Sequence, residues 1–473
     1  MKRAVKILKK IILSILALVL LLMLILAISI PYGKSKTSSP ITSPGAEQSK
    51  MVLQNVHIVA MDTSEVIYNK NVYINLGKIV NITPDSLPLI KGYTPINTHG
   101  KYLVPGLIDM HAHIFDRTDL TQYLSYGVTT VRNMMGFPMH LRWKQQWEAN
   151  EIAGSRLITA TPTLNSGEDT GPFHKNIDTA SEAEKAVEDY ANAGYDFVKI
   201  YNGIDSLQLK AIESAAQKNN MDIAGHPPSI SLDGILSSEI VSIEHIEELY
   251  YLLGEDYSAS KMRGIAKKLK ISGKAVVINL AAFHRIYKTV VEGQTYYDGL
   301  ESEHLNPIIS FIGKKQLKDY LEAGPKYVDY CKTKYKAMQD FTQILAQEEV
   351  KILFGTDTGP NLIIPGATVL EEIILLKDAG LSSFQILQSA TYNAANVLNR
   401  SDLGIIAVGS QAELIILEDN PLENLQTLKQ PKWLLAHGQI YNEDAIKKLR
   451  EKGQNKQNTY ATIGLWLEHL FKK

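Results

Sequence analysis

Cysteine is almost missing: Cys331 is the single one in 473 residues. That excludes an internal disulfide and any metal site built on a cysteine cluster. An excess of either charge is missing too. Lys and Arg number 49 against 50 Asp and Glu, so nothing in the charge points to a nucleic-acid partner. No Gly-x-Gly-x-x-Gly follows a strand-like run, and neither Gly-x-x-x-x-Gly-Lys-Ser/Thr nor Gly-x-Ser-x-Gly occurs. Dinucleotide binding on a glycine turn, a phosphate-cradling loop and a serine nucleophile on an elbow therefore have no support. A metal ion here would have to be held by histidine, carboxylate or modified lysine.

What is present begins with a long apolar run. Lys2, Arg3, Lys6, Lys9 and Lys10 precede the uncharged stretch Ile11 to Ile30, which at about 20 residues is long enough to cross a bilayer as a helix. Ala27-Ile-Ser-Ile30 makes a poor signal-peptide cleavage site. Residues 1–30 thus read as an uncleaved membrane anchor, with the basic flank cytoplasmic and the rest of the chain extracytoplasmic. Cleavage would keep the export and lose only the tether. With no cysteine near the end of the run, a lipid-modified amino terminus is excluded. Residues 31–50, rich in Ser, Thr, Pro and Gly, read as a flexible linker.

Short alternating strands are expected at Val52 to Met61, Val66 to Ile74 and Lys78 to Ile82, and again at Ala412 to Leu417 and Trp433 to Tyr441. These suggest one small β-sandwich built from both ends of the chain, residues 51–104 and 404–445. Between them strands alternate with helix-like stretches. Candidate strands are Leu107 to Ile114, Val128 to Met134, Leu157 to Leu164, Phe197 to Tyr201, Asp222 to His226, Val241 to His245, Ala275 to Leu280 and Ile352 to Asp357. Eight strand–helix units over roughly 290 residues fit an α/β fold of the (β/α)8 TIM-barrel type, spanning 105–403, better than an open sheet. Such barrels keep their chemistry at the carboxyl ends of the strands.

The polar residues at those ends form an ordered set. The apolar run opened by Pro105-Gly106 ends in His111-Ala-His113, and alternation along a strand sends both imidazoles the same way, placed to hold one metal ion. Lys199 lies between Val198 and Ile200, His226 and His245 end later strands, and Asp357 ends the eighth. A lone strand-end histidine is more often structural, and Asp before Thr-Gly is more often a turn former. A lysine on a buried strand is harder to dismiss, because an unpaired buried ammonium is costly.

With these residues in view the chain resembles the amidohydrolase superfamily, in its imidazolonepropionase-like and Xaa-Pro dipeptidase-like branch. The resemblance runs from about Met51 to Leu425. It rests on Pro105-Gly-Leu-Ile-Asp-Met-His-Ala-His113, Gly127-Val-Thr-Thr-Val131, Thr391-Tyr-Asn-Ala-Ala395, and Gly409-Ser-Gln-Ala-Glu-Leu-Ile-Ile-Leu417 followed by Asn420-Pro-Leu. It implies that His111, His113 and Asp357 bind one divalent metal and that His226 and His245 bind a second. Lys199, carboxylated by carbon dioxide to a carbamate, would bridge the two. Zinc suits such nitrogen and oxygen ligands, as would manganese. A metal-bridging hydroxide would then attack the substrate carbonyl, with Asp357 as proton shuttle. Mononuclear relatives such as deaminases lack the bridging lysine, and many place a glutamate shortly after the fifth-strand histidine. Here His226 is followed by Pro227-Pro228-Ser229. Hydrolysis of an amide in a dipeptide, Xaa-Pro or N-acyl amino acid substrate is the first expectation, lactone or ester cleavage the second. A metal-free surface binding module is the alternative from another class.

Substrate contacts are expected from Tyr201, on the same strand face as Lys199, and from the loop histidines His140 and His174, with His284 a further candidate. The insertion 285–349, rich in Tyr and Lys, is expected to be helical in its later half and to form a lid, or else a contact between copies in a homo-oligomer. In the tail, 446–473, Ile463, Trp466, Leu467, Leu470 and Phe471 fall on one helical face. That face would dock on the barrel or rest on the membrane surface.

Overall fold

The computed structural model describes residues 2–36, 50–168, 170–456 and 459–472. Helix Lys2–Lys36 contains the whole apolar run and continues past it, with Pro31 inside. The linker expected from residue 31 is therefore helical at its start, and its residues 37–49 lie outside the described residues. Lys6–Ser35 is long and apolar enough to cross a membrane, and its apolar window is not buried against the rest of the chain.

The strand-rich ends of the chain meet in one eight-stranded sheet. From one edge its order is Gln439–Asn442, Trp433–Ala436, Leu414–Leu417, Tyr102–Pro105, Met51–Val59, Val66–Asn75 and Lys78–Pro84, with Thr94–Asn97 also paired to Met51–Val59. Its apolar side buries Leu53, Val56, Ile74, Leu103, Leu414 and Ile416. The seam between the two ends is the antiparallel pairing of Tyr102–Pro105 with Leu414–Leu417. From that seam the chain passes directly into the strand that carries the histidine pair.

The middle is all parallel. Leu107–Ala112, Val128–Asn133 and Arg156–Thr159 form a three-stranded sheet. Lys175–Asn176, Leu164–Asn165, Phe197–Ile200, Asp222–Gly225, Ile240–Glu244, Ala275–Val277 and Ile352–Leu353 form a seven-stranded one in that order. Residues 160–161 and 196–197 connect them: Ala160 bridges Phe197, Thr161 N donates to Phe197 O and Asp196 N to Thr159 O. On the far side Met110 N donates to Phe354 O and Asp357 N to His111 O, each within 2.9 Å.

Two expectations are corrected. The third strand is broken into Arg156–Thr159 and Leu164–Asn165, because Pro162 between them has no N–H to give a ladder. The insertion is helical almost throughout, as Leu280–Glu292, Gln294–Asp298, Pro307–Lys318 and Pro325–Gln347.

The tail does not dock through the face bearing Ile463, Leu470 and Phe471. Helix Thr459–Lys472 packs against the amino-terminal helix and against Pro138–Glu148. It does so through Ala461, Thr462, Gly464, Leu465, Glu468 and His469, while Ile463, Leu470 and Phe471 face outward. The buried polar groups have partners: Glu468 accepts from Arg142 and pairs with Lys34, and Thr462 Oγ1 accepts from Asn306. A Cβ on Gly464 would stand 1.9 Å from Ser29 O, so this crossing of two backbones requires glycine.

Candidate metal centre

The residues singled out in the sequence converge at the carboxyl ends of the parallel strands. Oδ1 of Asp357 lies 3.4 Å from His111 Nε2 and 3.2 Å from His113 Nε2. One ligand atom from each of these three residues falls within 4.8 Å of the others, a spacing that suits one divalent cation. The His245 ring is 4.5 Å from that of His111 and 4.7 Å from that of His226, centroid to centroid. Lys199 Nζ is 3.5 Å from His226 Nδ1.

Local backbone geometry delivers these groups. Gly225 lets the strand before His226 run close to its neighbour, since a Cβ there would be 2.1 Å from Ile200 O. His245 and Asp357 have φ of 71° and 56°, a region that side-chain-bearing residues seldom adopt and that persists only where the surroundings enforce it. For Asp357 part of that enforcement is its N–H, bonded to His111 O at 2.7 Å.

Burial sets the charge states. It holds the imidazoles of His111 and His226 well below the usual histidine range, helped by neighbouring basic groups, chiefly His245 for the first and Lys199 for the second. His245 is lowered by the same cause. Neutral rings are what ligation requires. The Lys199 ammonium is brought down to about 8 by burial, against the opposing pull of Glu244 and Asp357. Burial pushes the Asp357 carboxyl up, but its bond to His113 and the nearby His245 and Lys199 more than offset this, so it stays ionised. Nδ1 of His113 and of His245 is buried with no hydrogen-bond partner among the described residues. Neutral imidazoles beside a carboxylate and a buried amine, with His245 Nδ1 left unpartnered, fit a divalent metal.

Around this cluster lies a layer of residues that the sequence reading passed over. Glu244 Oε2 meets His111 Nδ1 at 2.8 Å, and its Oε1 accepts from Arg132 at 2.7 Å and from Ser242 Oγ at 2.6 Å. Arg132 also donates to Met110 O. Asp109, pushed up to about 6 by burial, accepts from Thr356 and from His111 N. The signal that flagged Lys199 was available for Arg132 and Glu244: each is a charged residue inside an apolar strand and so must have a buried partner. Glu248, raised to about 7 by burial, has Oε1 at 4.0 Å from His226 Nε2.

The expected substrate residues divide. The Tyr201 ring lies tilted against that of His226 at 4.1 Å, its hydroxyl pushed up to about 12 by burial, and the His174 ring is 5.0 Å from Tyr201. His174 Nδ1 also accepts from Gly171 N at 3.3 Å. His140 does not face the cluster. It is buried, its Nδ1 accepts from Phe137 N at 2.8 Å and its Nε2 donates to Ile114 O at 2.7 Å, so main chain occupies both nitrogens. His284 turns to Glu371, Tyr287 and Tyr335. Its neighbour Phe283 lies 6.0 Å from the His245 ring and lines a cavity of about 70 Å³ with Tyr287, Tyr320, Tyr330 and Lys334.

The sequence pattern of the amidohydrolase family matches residues 102–438. The chain is 35% identical to the ochratoxinase of Aspergillus niger over 85 residues, 18% of this chain and 17% of that one. It is 32% identical to an adenine deaminase of Clostridium botulinum (strain ATCC 19397 / Type A) over 390 residues, covering 81% of this chain and 57% of the deaminase. The chain therefore spans less than two thirds of these relatives' length. A solved Xaa-Pro dipeptidase with methionine in its active site superposes with a TM-score of 0.65 at 19% identity, over 83% of this chain and all of that one. At that identity the likeness concerns the fold. With the family pattern covering most of the chain, the protein belongs to the amidohydrolase family.

Proposed function

We propose that this protein is a binuclear metal-dependent hydrolase that cleaves an amide bond in a dipeptide or N-acyl amino acid, anchored to a membrane by its amino-terminal helix with the catalytic part extracytoplasmic. The parallel strands are read as a closed (β/α)8 barrel over 105–403, the eight-stranded sheet as a composite domain from 51–104 and 404–445. The observation that carries the proposal is Lys199. Its amine is buried 3.5 Å from His226 Nδ1, among imidazoles, and burial brings its pKa down to about 8. Near neutral pH an appreciable fraction is then the free amine, which can add to the carbon of carbon dioxide and release one proton.

His111, His113 and Asp357 would hold one divalent ion, zinc by ligand type, and His226 and His245 a second, with the Lys199 carbamate shared between them. Such ions, when bound, make water acidic near neutral pH and polarise a carbonyl. Asp357, ionised and facing both His111 and His113, takes the proton of the attacking water at a carboxylate oxygen. It returns that proton to the leaving nitrogen as the carbon–nitrogen bond breaks. Tyr201 and His174, beside His226, orient the substrate, and the aromatic cavity behind Phe283 receives one of its side chains.

The test is metal analysis of the purified full chain together with assays on Xaa-Pro dipeptides, N-acyl amino acids and lactones. About two metal ions per chain with amide turnover is expected. Fewer than one ion, or full activity in Lys199→Ala, overturns the reading. A second reading, deamination, is favoured by the adenine deaminase relative and by Glu248 standing near His226. Ammonia release from adenine without peptide cleavage would select it.

A further inference from the structure

The carboxyl-terminal helix Thr459–Lys472 touches two very different parts of the molecule. On one side Gly33 and Ser29 of the amino-terminal helix cross it at Gly464, and Lys34 pairs with Glu468 at 3.1 Å. On another it seats on the loops that follow the first strands of the parallel sheets. Trp466 packs edge-on to Phe115 at 5.9 Å and to Phe173 at 4.9 Å. His469 stacks on Phe137 at 3.9 Å, and its Nε2 donates to Phe173 O at 2.9 Å. Phe115 in turn stacks over the candidate ligand His113 at 6.2 Å. Only two ring contacts separate the metal centre from a helix docked where the apolar amino-terminal helix meets the folded part.

The outward face of this helix is apolar. Ile463, Leu470 and Phe471 are exposed, Phe471 to 64%. The adjoining helix Pro307–Lys318 packs against it, leaves Phe311 70% exposed, and follows that ring with the exposed cations Lys314 and Lys315. Exposed aromatic and aliphatic side chains flanked by lysines suit the headgroup–acyl boundary of a bilayer. The amino-terminal helix leaves the protein at this patch, so a bilayer crossed by that helix would lie against it.

We propose that the carboxyl-terminal helix lies in the bilayer surface beside the membrane-spanning helix, so that the rim carrying Phe115 and Phe173 faces the membrane. This rests on the reading of Lys6–Ser35 as a membrane span. The geometry makes the bilayer the occupant of the apolar face, and the metal centre then opens toward lipid rather than away from it.

The experiment uses the full chain carrying Cys331→Ser, reconstituted into phosphatidylcholine vesicles. Single cysteines for a fluorescent label are introduced as Leu20→Cys, Ile463→Cys, Phe471→Cys or Ile271→Cys. Ile271 is 87% exposed at the end of a helix that leads into Ala275–Val277, opposite the metal centre. Lipids bearing a nitroxide near the headgroup should quench the labels at 463 and 471 by about twofold and leave that at 271 unchanged. Mid-chain nitroxides should quench the label at 20. Quenching at 20 with none at 463 and 471 overturns this proposal and leaves the anchor standing. No quenching at 20 overturns the anchor reading and the proposal with it. Equal quenching at 271 and 471 overturns the orientation.

Discussion

Glu244 Oε2 lies 2.8 Å from His111 Nδ1 with both side chains buried, and the other oxygen of the same carboxylate accepts from Arg132 at 2.7 Å. The pair fixes which His111 nitrogen is left to face Asp357. Glu244→Gln keeps the shape but removes the charge opposite Arg132. Metal affinity should fall about 10–100-fold, as for other carboxylates that orient a ligating histidine. The folded state should lose roughly 3–5 kcal/mol from the unpaired guanidinium. Competition with a chelator of known affinity measures the first, urea unfolding the second.

Lys199→Ala should lower kcat/KM by on the order of a thousandfold, about 4 kcal/mol of barrier. Chelator-treated wild-type protein should be inactive, and addition of Zn or Mn should restore it. In the variant the same addition should restore little unless a short carboxylic acid is supplied to stand in for the carbamate. Steady-state assays with and without that acid check this.

His140 predicts acid lability. Burial pulls its pKa from 6.5 down to about 3. In the unfolded chain the ring protonates near 6.5, whereas the folded protein keeps it neutral until about 3, so below 6.5 the unfolded state binds the extra proton and is favoured. Stability is full above 6.5 and falls by roughly 1.4 kcal/mol per pH unit as the pH drops toward 3. His140→Asn should be less stable at neutral pH, because it loses one of two main-chain bonds, yet show a flatter decline with acid. Unfolding midpoints measured across this pH range test it.

Gly464→Val should loosen the crossing with the amino-terminal helix. The added carbon would meet backbone, Ser29 O at 1.9 Å and Ser29 C at 2.8 Å, which cannot yield as a side chain would. A loss of about 1–3 kcal/mol is expected, with metal content unchanged. Thermal unfolding of the detergent-solubilised full chain and metal analysis of the same sample decide it.

The candidate ligands were legible because each sits in or at the end of an apolar run, where alternation and burial restrict what a polar side chain can be doing. His111, Lys199, His226, His245 and Asp357 all satisfy that condition. Arg132 and Glu244 satisfied it too, but pairing across strands that are far apart in sequence is not encoded in either strand alone. His140 could not be separated from a pocket histidine by position, since its role depends on Phe137 N and Ile114 O meeting its two nitrogens. The outward turn of Ile463, Leu470 and Phe471 was hidden for a related reason. Periodicity shows which residues share a face; Arg142, Lys34 and Asn306 decide that the face bearing Glu468 and Thr462 is the buried one.

The contact of Ser29 and Gly33 with Gly464 also has a temporal side. The first two leave the ribosome long before Gly464 does, so during translation the apolar helix is committed to its surroundings while its packing partner does not yet exist. The parallel-stranded part must then fold while its link to that helix is still loose, and the link tightens only when the later helix arrives. Chains halted before residue 459 would lack this contact altogether.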